Sequence, residues 1–103
     1  MIELGGNIKI AGFKDLDGGT KQIIKKMVGN YTRKLSEVCN KFESLHMTIK
    51  PVHAGEEVHK YELHAKVMDN GTPLVSEVVN RNLFVAIDAA LKKIENNIKS
   101  KHW

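Results

Sequence analysis

Two residues, Asn70 and Gly71, constrain this chain more than any others. They separate two apolar runs: before them Tyr61, Leu63, Ala65 and Val67, which alternate with polar residues, and after them Pro73 to Val79. A period of two marks a half-buried strand. Asn-Gly between two such runs favours a two-residue type I′ turn, which needs positive φ at both positions. Counting back from that turn sets the register: Asp69 pairs with Thr72, Val67 with Leu74, and His64 with Glu77. Pro73 has no N–H to offer a neighbour and suits a sheet edge.

The remaining elements arrange themselves around this hairpin. Leu45, Met47 and Ile49 alternate with His46, Thr48 and Lys50, which predicts a strand ending at Pro51 and the Ala54-Gly55-Glu56 turn. Asn7 to Gly12 reads as a short first strand. Between these strands Ile23, Ile24, Met27, Tyr31, Leu35 and Val38 recur at three and four, which predicts a helix from about Thr20 to Val38. The loop from Asp15 to Thr20 is rich in turn residues and suits a helix cap. Gly29 interrupts the helix and marks a bend or a close approach to the sheet. The last helix is the clearest, with Leu83, Phe84, Ile87, Ala90, Leu91, Ile94 and Ile98 in one stripe. Asn80 or Asn82 caps its start, and Lys92, Lys93, Lys99 and Lys101 suit the dipole at its C-terminal half.

The order is β-α-β-β-β-α, an α+β fold. Both helices bury their stripes on one face of a four-stranded mixed sheet, a two-layer sandwich like that of duplex-RNA-binding domains. A right-handed crossover through the first helix makes strands one and two parallel and the rest antiparallel. At 103 residues the chain reads as one domain, 1–103, with a core over about residues 7–100. The expected core sets Ile24, Met27, Tyr31, Leu35, Phe84, Ile87, Leu91 and Ile94 against Met47, Ile49, Leu63 and Val67. The first six residues and the tail after Lys99 look dispensable to it.

The residues supply no enzyme constellation and call for no cofactor or small-molecule substrate. Cys39 is the single cysteine, which rules out an internal disulfide and Cys-rich zinc motifs and fits a reducing compartment. It lies at a helix end without a neighbouring base, and no serine elbow or phosphate-cradling loop is present. His46 and His64 share the polar sheet face with Glu77 beside His64. A metal would need a third ligand, for which Glu77 is the nearest candidate, and preferably a fourth, so they read as surface histidines beside a basic patch. Asp15 and Asp17 lack the spacing and closing Glu of a calcium loop. Gly29 begins a KH-like loop, but Thr32 stands where its second glycine belongs. The start lacks a signal-peptide pattern and no run is long enough to span a membrane, which makes cytoplasmic the expected location.

Sixteen Lys and Arg against twelve Asp and Glu leave a net charge of +4. Its placement matters more than its size. Lys21, Lys25, Lys26 and Arg33 fall opposite the apolar stripe of the first helix, at about 100° per residue. Arg81, Lys92 and Lys99 share one stripe of the last helix, and Lys93 lies on the other flank. Glu37, Asp88 and Glu95 are the carboxylates that intervene on these surfaces, and Lys50, Lys60 and Lys66 add to the polar sheet face. Such surfaces follow a phosphate backbone without reading bases. Trp103 is the one aromatic free to stack, so base stacking on single strands is not the expected mode.

The chain resembles the ribosome hibernation promoting factor and ribosome-associated inhibitor family in its short form. Ile8-Lys-Ile-Ala-Gly12 is similar to that family's opening strand. Ala86-Ile87-Asp88, then Lys93-Ile94-Glu95 and Asn97-Ile98, resemble its last helix, and His64-Ala65-Lys66 echoes its middle strand. The resemblance implies binding to the small ribosomal subunit and its rRNA, in the channel used by messenger and transfer RNA. It also implies blocked initiation, preservation of idle ribosomes under stress, and no C-terminal dimerisation domain. The basic helical faces would then be the RNA-binding surface. Two other readings fit the residues: a general double-stranded RNA-binding module, and a structural domain that self-associates through a sheet edge or the Val75 and Val79 surface.

Overall fold

The computed structural model describes residues 2–3, 7–12, 16–39 and 41–101. In chain order these form β1 (Ile2–Glu3), β2 (Ile8–Ala11), α1 (Gly18–Val38), β3 (Phe42–Ala54), β4 (Glu57–Asp69), β5 (Thr72–Asn80) and α2 (Leu83–Lys101). The strands lie in one sheet in the order β1-β2-β3-β4-β5. β2 and β3 are parallel, and the other neighbours are antiparallel. The expected β-α-β-β-β-α order and mixed four-stranded sheet are present, with the two-residue β1 added at the β2 edge. Asp15, Trp103 and most of the N-terminal six residues lie outside the described residues.

The β4–β5 register is the one the turn dictates: Asp69 faces Thr72, Val67 faces Leu74 and His64 faces Glu77. Asn70 and Gly71 have φ of 50° and 82°, the left-handed pair that a type I′ turn needs. β3 departs from expectation by running through Pro51 to Ala54. β2 pairs with β3 only as far as Thr48, and β5 pairs with β4 only as far as Tyr61. Past those points β3 and β4 form a free two-stranded ribbon, where Pro51 sits on an open edge and its missing N–H leaves no partner unsatisfied.

Both helices cover one sheet face, α2 over β4 and β5, and α1 over β3 and against α2. Ile10, Leu45, Met47, Leu63 and Val67 of the sheet are buried against Ile24, Val28 and Leu35 of α1 and Ile87, Leu91 and Ile94 of α2. Val28 is fully buried although the expected stripe omits it, and Ile23 is 48% exposed although the stripe includes it. The buried side of α1 is therefore rotated towards Val28, which leaves Met27 and Tyr31 at the margin, as Phe84 is on α2. Ser76, polar on the buried face, donates to the Ala90 carbonyl at 2.8 Å.

Gly29 neither breaks α1 nor approaches the sheet; a Cβ there would meet no atom within 4 Å. Gly12 makes the close approach instead. Its φ is +78°, and a Cβ would lie 2.0 Å from the Ile49 carbonyl oxygen. The caps follow the sequence. Asp17 accepts from the Thr20 N–H at 2.7 Å and from the Thr20 hydroxyl at 3.0 Å. Those bonds hold its carboxyl below the usual carboxylate range. Asn82 Oδ1 accepts from the N–H groups of Phe84 and Val85, and Asn80 Oδ1 accepts from the Asn82 N–H.

Candidate nucleic-acid interface

The strand directions make the two helices start at the same end of the sheet. A cavity of about 660 Å³ at that end is lined by Asp17 and Thr20 from the start of α1, and by Arg81, Asn82 and Leu83 from the start of α2. The helices thus present two adjacent outer faces on one side of the molecule, and the cations on them define the candidate interface.

On α1, Lys26 and Arg33 are exposed on the outer face, while Lys21 and Lys25 are half-buried. The rotation towards Val28 explains the difference. It brings the Lys21 and Lys25 side of the helix closer to the core and turns them onto the flank away from α2. On α2, Lys92 and Lys99 are exposed on one stripe, but Arg81 precedes the helix in the β5–α2 connection and lines cavities beside Ala54, Val58 and His59 of β3 and β4, so it does not share that stripe as expected. Lys93 lies on the opposite flank and donates to the Glu77 carbonyl at 3.3 Å.

Two residues of this surface differ from the sequence reading. Asp88 is half-buried, not an outer-face carboxylate: it accepts a 2.5 Å hydrogen bond from the Tyr31 hydroxyl across the helix pair. Burial and this bond, with the negative charges of Asp88 and Glu95, push the Tyr31 phenol up to about 12. Lys34, absent from the predicted set, is exposed with its ammonium 5.1 Å from the centre of the Tyr31 ring. It follows Tyr31 by three residues and so lies on the side of α1 that faces α2. The i,i+3 spacing from an inward-facing tyrosine is the signal that would have found it. Lys34, Lys92 and Lys99 therefore border the junction of the two helices, whereas Lys21 and Lys25 do not.

The other candidate chemistries stay dispersed. His64 Nδ1 lies 3.3 Å from Glu77 Oε1, but no group of three His, Cys, Asp or Glu gathers to hold a metal among the described residues. Burial, with the Asp69 carboxylate nearby, pushes the Cys39 thiol up to about 11, the reverse of nucleophile activation. Asp69 instead accepts from the Lys41 N–H at 2.8 Å and, with the Asn70 N–H on the Lys41 carbonyl, latches the α1–β3 connection to the β4–β5 turn. No helix among the described residues is long and apolar enough to cross a membrane.

A family model described as Sigma 54 modulation protein / S30EA ribosomal protein matches residues 15–102, which include both helices and β3 to β5. The chain belongs to this family. Two solved structures share the S30EA-type fold. The Protein Y N-terminal domain of Thermus thermophilus is 19% identical with a TM-score of 0.56, over 92% of this chain and 96% of that one. A ribosomal subunit interface protein from Coxiella burnetii is 13% identical with a TM-score of 0.54, over 92% of this chain and 93% of its own. Curated proteins offer no match to the sequence. The opening strand Ile8–Ala11 lies ahead of the residues that the S30EA model matches.

Proposed function

We propose that this S30EA-family chain is a ribosome-associated translation inhibitor and hibernation factor that acts in the cytoplasm. It lays the outer faces of α1 and α2 on rRNA of the small subunit and occupies the channel used by messenger and transfer RNA. The observation that carries this reading is the coincidence of two facts. The family match runs through both helices, and those helices carry the exposed cations Lys26, Arg33, Lys34, Lys92 and Lys99. The name of the Coxiella burnetii relative, a ribosomal subunit interface protein, supports it. Binding of this kind works by occupying space and releasing counterions from phosphates. It asks for no reacting group, and idle ribosomes are preserved because the channel is filled.

The test is paired. Affinity for purified small subunits and for a plain RNA duplex is measured at matched salt, together with translation output in a purified system. The expected result is much tighter binding to subunits, falling steeply with salt, and reduced translation. A general duplex-RNA binder follows A-form shape and binds most hairpins alike. Equal affinities with undiminished translation would overturn the ribosomal reading.

A further inference from the structure

β5 is the last strand of the sheet among the described residues, paired with β4 on one side only. The two-residue turn makes Asp69–Thr72 a hydrogen-bonded pair, and such pairs alternate along the hairpin. The backbone N–H and C=O of Thr72, Leu74, Ser76 and Val78 therefore point to β4. Those of Val75, Glu77 and Val79 point outwards, and Pro73 ahead of them offers a carbonyl but no N–H. A groove of about 590 Å³ runs along this edge, between the strand at Val75 to Glu77 and the flank of α2 that carries Lys93, Asn96, Asn97 and Ser100. A strand edge walled by a helix is a setting in which an extended peptide adds as a further strand.

We propose that the β5 edge is a strand-addition site for an acidic, extended segment of another protein, with Lys93 as its gate. The proposal stands apart from the ribosomal reading above and does not depend on it. Lys93 carries the selection. Its ammonium caps the outward Glu77 carbonyl at 3.3 Å, the acceptor that an incoming N–H needs. An added strand takes that acceptor and releases the ammonium on the helix side of the groove. The rest of that wall, Asn96, Asn97 and Ser100, carries no charge. The Glu77 carboxylate is not the new partner, because it lies on the opposite sheet face, 3.3 Å from His64 Nδ1. A carboxylate on the incoming strand, directed to the helix side, gives the ammonium a stronger partner than the carbonyl it yields.

The same geometry argues against a second copy of this chain as the occupant. Alternation turns Leu74, Ser76 and Val78 of β5 to the helix side, so a second β5 edge brings no carboxylate to Lys93. It brings its own Lys93 to the other side of the seam instead. On the open face Val75 and Val79, 63% and 54% exposed, stand on either side of Glu77 and offer apolar contact to the alternate side chains of an added strand. The partner is therefore an extended run with carboxylates on one side and β-branched residues on the other.

The experiment uses synthetic heptapeptides in which threonine alternates with glutamate, glutamine or lysine. Each is titrated into the full chain, at concentrations where sedimentation velocity finds a monomer, while backbone amide resonances are followed. The glutamate peptide should shift the amides of Val75, Glu77, Val79 and Lys93. It should bind about two- to fivefold tighter than the glutamine peptide, the size of one exposed ion pair, and the lysine peptide should bind weakest. Lys93→Glu should reverse that order. Glu77→Pro removes an outward N–H that β4 does not use and should abolish the shifts; if it does not fold, the Lys93→Glu reversal decides alone. Equal binding of the peptides, or shifts confined to the Lys92 and Lys99 stripe, overturn the proposal. An unchanged preference in Lys93→Glu overturns it as well. Concentration-dependent shifts of the β5 amides without peptide assign the edge to a second copy and overturn the acidic occupant. None of these results bears on small-subunit binding, which is tested separately.

Discussion

The hydroxyl of Tyr31 donates a 2.5 Å hydrogen bond to the Asp88 carboxylate, tying the middle of α1 to the first turns of α2. The tie sits at the edge of the core, where neither residue is fully buried. It sets the spacing of the helices whose outer faces form the candidate interface, and Lys34 stands over the same tyrosine ring.

Tyr31→Phe keeps the ring and removes the donor. Stability at pH 7 should fall by about 1–2 kcal/mol, because a hydrogen bond to a charged group is lost while Asp88 regains water. The variant should also change the alkaline limb. The Tyr31 phenol rises from 10.0 to about 12 on folding, so the unfolded chain releases its proton first. Stability attributable to Tyr31 is complete below pH 10 and is lost as pH climbs towards 12. Urea midpoints collected from pH 8 to 11.5 should decline for the wild type and decline less for Tyr31→Phe. Parallel curves would show that the tyrosine does not titrate in this way.

Glycines at 12 and 29 should respond to alanine with opposite signs. Gly12→Ala forces a methyl into the Ile49 carbonyl at a positive φ, so it should destabilise by at least about 2–3 kcal/mol or prevent folding. Gly29→Ala adds a methyl in open space on a helix and should stabilise by about 0.4–1 kcal/mol. Thermal unfolding of both variants checks the pair. A neutral Gly12→Ala would contradict the close approach of β2 to Ile49.

These two glycines also show how much the sequence disclosed. Elements and strand register were legible because each depends on neighbours along the chain: the Asn70-Gly71 turn, the alternation on β4, the Asp17 and Asn82 caps. The role of Gly12 was not, because the atom it avoids belongs to Ile49, 37 positions away. The same holds for α1. Ile23 and Val28 are equally apolar, and only docking decides which of them meets the sheet. That rotation then decides which lysines face outwards, so the candidate site was legible in composition and less so in placement. Asp88 read as an outer charge because its partner, Tyr31, lies on the other helix. The strand through Pro51 was hidden because proline ordinarily ends a strand, and only the absence of a neighbour there makes it tolerable.

The final prediction asks which cations of the helical surface matter. Lys34, Lys92 and Lys99 border the junction of α1 and α2, Lys21 and Lys25 lie half-buried on the far flank, and Lys93 bonds the Glu77 carbonyl at the β5 edge. The His64–Glu77 pair lies opposite in register between hydrogen-bonded pairs, so that carbonyl points away from β4 towards open solvent. Lys93 thus shields a sheet edge that would otherwise present an acceptor to another chain. Three charge-removing variants separate these roles: Lys34→Gln/Lys92→Gln/Lys99→Gln, Lys21→Gln/Lys25→Gln, and Lys93→Gln. The junction variant should lose small-subunit affinity by more than tenfold, with a salt slope reduced by about two to three, because each phosphate contact contributes close to one unit. The flank variant should lose less. Lys93→Gln should leave subunit affinity near the wild-type value and raise self-association in sedimentation velocity as the β5 edge opens. Losses that are equal across all three variants would mean that net charge, not the helical junction, governs binding.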